Sequence, residues 1–97
     1  MLFRSVNDDN KVKISAAGGV EAVLAAMVTH KGSAVVQEQA CCALRNLAVN
    51  DDNKVKIAAA GGVEAILAAM MTHKGSAVVQ EQACWALNNL AVELEID

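Results

Sequence analysis

The side chains of this chain with the most reactive chemistry are three cysteines, Cys41, Cys42 and Cys84, and two histidines, His30 and His73. A cysteine nucleophile works when an imidazole lies within hydrogen-bond reach and a third group orients that base. Here the histidines fall where helices are expected to end, before Lys31-Gly32 and Lys74-Gly75, while the cysteines fall in the middle of other helices. Cys41 and Cys42 are adjacent, diverge by about 100° around a helix, and so cannot hold one metal together. Gly18-Gly19 and Gly61-Gly62 lack the preceding strand and the Lys-Ser/Thr of a phosphate-cradling loop. The chain therefore reads as a non-enzyme, with no catalytic residue, no metal and no cofactor. The odd number of cysteines suits small buried hydrophobes better than a disulfide framework. Trp85 and Asn89 stand at i and i+4, which puts them on one helical face.

The elements that position these residues are written twice. Asn7 to Val49 and Asn50 to Val92 are the same 43-residue text with five changes: Ser15/Ala58, Val23/Ile66, Val28/Met71, Cys42/Trp85 and Arg45/Asn88. A period of this length signals units that bury their apolar faces by stacking on a neighbour. Function is then expected on a surface that both units share.

Apolar residues make up 55% of the chain and aromatics only 2%, so the core must come from small side chains and closely approaching backbones, which favours helices. The net charge of -3 and the scattered lysines leave little for a phosphate backbone to hold, and no nucleic-acid partner is expected. MLFRSVNDDN turns polar too early for a signal peptide, and no apolar run approaches the roughly 20 residues that cross a bilayer. A soluble chain of the cytoplasm or nucleus, with no membrane partner, is the expectation.

Each unit divides into three helical stretches. The first runs around 10–17 and 53–60, anchored by Ile14 and Ile57, with aspartates suited to its N-terminus. The glycine pairs then allow a tight, left-handed corner. The second helix, about 20–29, carries Val20, Val23, Leu24, Met27 and Val28 on one face, and the second copy carries Val63, Ile66, Leu67, Met70 and Met71. His30-Lys31-Gly32 and His73-Lys74-Gly75 are expected to close it with cations and a glycine C-cap. The third, about 34–48, follows Ser33 as N-cap and presents Val36, Ala40, Ala43, Leu44, Leu47 and Ala48. The absence of proline and of period-2 alternation argues against a propeller blade of similar period.

A short helix, an AGGV corner, an amphipathic second helix and a third helix reading VQEQACWALNNLA resemble the armadillo repeat over residues 7–92. The resemblance implies an all-α fold: a right-handed α-α superhelix with three helices per repeat, whose third helices line a concave groove for extended peptides. In importin-like members, a Trp on the third helix flanks basic side chains and an Asn one turn later bonds the peptide backbone. Trp85 and Asn89 match that pair; in the first repeat the Asn is kept as Asn46 and the Trp position is Cys42.

On this basis 7–49 and 50–92 are two armadillo repeats, 1–6 is the remnant of a preceding third helix, and 93–97 is a C-terminal tail. The expected function is binding of an extended, basic peptide or protein segment along Glu38, Arg45, Asn46, Glu81, Trp85, Asn88 and Asn89. Glu38 and Glu81 favour basic residues and Arg45 opposes them locally. Two of the five inter-repeat changes, Cys42/Trp85 and Arg45/Asn88, fall on this stripe. The alternative is a self-assembling unit, since near-identical copies expose at the ends of the stack the faces they bury inside it. The differing termini favour a small closed assembly over endless growth. The near-identity of the copies fits a piece of a longer array or a designed or recently duplicated sequence.

Overall fold

The computed structural model describes residues 6–92, with side chains from Asn7 onward. Among these residues the regular structure is all helical, joined by short turns: α1 (Val6–Ala16), α2 (Gly19–Thr29) and α3 (Ala34–Leu47) from the first repeat, then α4 (Asp51–Ala59), α5 (Gly62–Thr72) and α6 (Ala77–Ala91) from the second. The expected remnant before Asn7 and the tail at 93–97 lie outside the described residues, apart from Val6, which opens α1.

Local chemistry sets these boundaries. Ser33 and Ser76 cap α3 and α6, each hydroxyl accepting the amide of the third residue on, Val36 or Val79, at 3.2 Å. Asn50 caps α4 in the same way, accepting the Asn53 amide at 3.0 Å, with Asp51 and Asp52 in the first turn. Because Asn50 does the capping, α4 starts two residues earlier than the pattern suggested. Between α1 and α2, and again between α4 and α5, the chain bends by 70°.

The two glycines of each corner are needed for different reasons. Gly18 and Gly61 hold left-handed backbone, φ 89° and 92°. Gly19 and Gly62 do not; they lie against the preceding isoleucine, and a Cβ at Gly62 would stand 2.8 Å from the Ile57 carbonyl oxygen and collide with the Ile57 side chain. The expected glycine C-cap after the second helix is corrected by the structure. The C-cap positions are His30 and His73, whose amides bond Ala26 and Ala69, and neither Gly32 nor Gly75 has positive φ.

Two layers result. Helix α3 packs most extensively against α6, α2 packs on α3 and α5 on α6 within each unit, and α2 meets α5 across the seam less extensively. Gln37 and Gln80 tie the layers: Gln37 donates to the carbonyls of Met27 at 3.1 Å and His30 at 3.0 Å, satisfying the end of α2, and Gln80 repeats this on Met70 and His73. The core runs through the seam between the repeats, from Val20, Leu24 and Met27 across Cys41 and Leu44 to Ile57, Ile66 and Val79.

Position along the stack overrides the sequence pattern at several residues. Ile57 is 0% exposed, yet Ile14, the same residue type at the same helix position, is 48% exposed, because only Ile57 has a repeat stacked over it. The expected apolar face of the second helix is too wide: Val28 and Met71 point to solvent, and in the second copy Leu67 is exposed as well. The expected burial of all three cysteines holds only for Cys41; Cys42 is partly exposed and Cys84 lies on the outer face of the second repeat.

Candidate functional site

The residues singled out on the third helices lie on α3 and α6, side by side. Trp85 is not a core residue; its side chain is 49% exposed. Over its ring lies the guanidinium of Arg45 from α3, Cζ 4.0 Å from the ring centroid. Arg45 Nη1 also donates to Gln82 Oε1 at 2.9 Å, one turn before Trp85 on α6, which fixes the stack from a second side. Arg45 Nη2 reaches Asn46 Oδ1 at 3.5 Å, and Asn46 Nδ2 lies 3.8 Å from Cys42 Sγ. Both members of the stack therefore come from positions where the two copies differ most, Cys42/Trp85 and Arg45/Asn88.

Asn89 serves the seam. Its Nδ2 donates to the Arg45 carbonyl at 3.0 Å, a late carbonyl of α3 that would otherwise lack a good helical partner. Glu81 and Asn88 are exposed and Glu38 is partly exposed. Among the described residues, Arg45, Asn46, Trp85 and Asn89 form one connected cluster, while Glu38, Glu81 and Asn88 stand on the same pair of helices outside it.

Sequence reasoning missed Gln82, whose signal was its i, i+3 spacing to Trp85 on the same face. It also missed Gln37, which is buried, and Gln80. Cys41, buried between the repeats, has its thiol pushed up from 9.0 to about 11 by desolvation and, secondarily, by the neighbouring Cys42. A thiol held protonated in this way is a packing group and a poor nucleophile. Among the described residues no cluster of three His, Cys, Asp or Glu side chains is placed to hold a metal ion, and no single helix is long and apolar enough to cross a membrane.

Paired helices in two layers, repeated with a 43-residue period, define a helical-repeat solenoid segment. The model of the HEAT-like repeat matches residues 34–90, and that of the Armadillo/beta-catenin-like repeat matches residues 7–49. The chain belongs to the armadillo/HEAT repeat family. The two matches frame it differently: the armadillo model follows the sequence period, while the HEAT-like model runs from α3 to α6, the pair in most extensive contact. No curated protein and no solved structure matches the chain. Repeats of this family generally mediate protein–protein interaction and are generally non-enzymatic scaffolds.

Proposed function

We propose that this chain is a protein-interaction module of the cytoplasm or nucleus that binds an extended, basic peptide segment along the α3–α6 stripe. The observation that carries the reading is Trp85. It is the single tryptophan of the chain, half in water, on the helix pair that the family's resemblance assigns to recognition, and one of its faces already accommodates a guanidinium. A ring that accepts Arg45 offers the same quadrupole to a peptide cation. Glu81 and Glu38 supply negative charge nearby, and the exposed amides of Asn46 and Asn88 suit main-chain N–H and C=O groups, a mode tolerant of sequence. Asn89 contributes by holding α6 against α3. Arg45 competes with the incoming cation for the ring and repels it.

A short Lys/Arg-rich peptide titrated against the chain, followed by Trp85 fluorescence, tests this. Saturable binding of low affinity is expected, because only one aromatic anchor is available. Trp85→Ala should abolish binding measured by calorimetry, and Arg45→Asn, which installs the second repeat's residue, should strengthen it several-fold. An acidic peptide of equal length should not bind. Equal binding of the basic peptide by the parent and Trp85→Ala would refute the assignment.

A further inference from the structure

Every surface of the internal seam has a twin, 43 residues away, on an outer face of the pair. On the first repeat's side of the seam Leu24 is 9% exposed and Cys41 and Ala48 are sealed; their twins Leu67, at 45%, Cys84 and Ala91 face outward. On the second repeat's side Ile57, Ile66 and Val79 are sealed; of their twins, Ile14 is 48% exposed, and Val23 and Val36 line an open apolar groove with Ala26, Ala40 and Ala43. The twin of that groove in the second repeat is filled by the first repeat.

The polar half of the seam is duplicated as well. Four side chains of the second repeat end on backbone carbonyls of the first: Asn53 Nδ2 on Lys11 at 3.3 Å, Lys56 Nζ on Ser15, His73 Nε2 on Lys31 at 2.7 Å and Asn89 Nδ2 on Arg45 at 3.0 Å. The twins of these donors, Asn10, Lys13, His30 and Asn46, are the same residue types on the first repeat. The twins of the acceptors are the carbonyls of Lys54, Ala58, Lys74 and Asn88. A carbonyl is independent of side-chain identity, so the Ser15/Ala58 and Arg45/Asn88 changes leave every acceptor in place.

We infer that a second copy of this chain docks head to tail, the first repeat of one molecule seated on the second repeat of the next and reproducing the seam's apolar contacts and its four side-chain-to-carbonyl bonds, while the Arg45–Trp85 stack, whose twins are Asn88 and Cys42, is not repeated. A two-fold arrangement would bring together two copies of one face, a contact for which the seam supplies no template; the head-to-tail contact is heterologous and extends from either end. This inference shares Asn46 with the peptide reading, but its apolar contacts lie on the outer faces and not on Trp85.

Light scattering after size exclusion, over a concentration series, tests it with two variants chosen at half-exposed positions. The parent should exceed monomer mass as concentration rises. Ile14→Glu blocks one face and Leu67→Glu the other, so each variant alone should remain monomeric, while their equimolar mixture should form a one-to-one dimer through the two intact faces. A parent that is monomeric at high micromolar concentration overturns the inference, as does self-association of either variant alone or failure of the mixture to dimerise. Should a variant lose its helical circular dichroism, site-resolved thiol labelling of the unsubstituted chain decides. Cys84, the twin of sealed Cys41, should become protected as concentration rises, and labelling of Cys84 that is independent of concentration overturns the proposal.

Discussion

Replacing Ile57 and Ile14 in turn by alanine measures what stacking contributes, because the two residues share type, helix position and near neighbours in sequence apart from Ser15/Ala58. Ile57 is sealed and Ile14 is half exposed. The substitution removes three carbons, about 2.4 kcal/mol of transfer free energy when burial is complete. A residual cavity of roughly 60 Å³ adds about 1.4 kcal/mol at ~24 cal/mol per Å³. Ile57→Ala should therefore cost ~3–4 kcal/mol. At Ile14 about half the transfer term applies and solvent fills the space, so the cost should be ~1 kcal/mol. The expected gap of ~2–3 kcal/mol is a large part of the ~5–15 kcal/mol that stabilises a typical domain. Urea denaturation followed by far-ultraviolet circular dichroism, at low protein concentration so that association between copies does not contribute, reads both values. Equal costs within about 0.5 kcal/mol would mean that the first repeat does not cover Ile57, and the stacked arrangement would fail.

The corner glycines should separate by mechanism. Gly61→Ala should cost ~1–2 kcal/mol through its left-handed backbone, and Gly62→Ala more than that through collision with Ile57, both read by thermal melts; a neutral Gly62→Ala would contradict the close approach. Cys41 should make the fold sensitive to alkali: its folded pKa of about 11 lies above the ordinary 9.0, so the folded state binds more protons between the two values. Its contribution is complete below pH 9.0 and declines as pH rises towards about 11, and Cys41→Ala should flatten that part of a stability-versus-pH profile, whereas an unchanged slope would refute the buried-thiol assignment.

Much of the fold was legible because the signals are local. The Ser33, Ser76 and glycine-corner positions depend on backbone groups within five residues, and the apolar spacing of each helix follows from its own pitch. The site was legible only as a stripe. Spacing placed Trp85, Asn88 and Asn89 on one helix and Arg45 and Asn46 on another, but left open that Arg45 crosses to stack on Trp85 and that Asn89 turns inward to the seam. The errors at Val28, Met71 and Cys84 share one cause: apolar character reports the ability to be buried, and a neighbour must be present for burial to occur.

The sequence by itself determined the helices, their caps and breaks, and the existence of a unit repeated at 43 residues. Only the tertiary structure decided which member of each identical pair is covered, Ile57 over Ile14 and Cys41 over Cys84. Two copies of one text carry the same local information, so the asymmetry between them arises from position in the stack. The same holds for the stitching of the seam. Asn53, Lys56, His73 and Asn89 end on main-chain carbonyls, and because every residue carries a carbonyl, no pattern of side chains marks the ones that packing brings within reach.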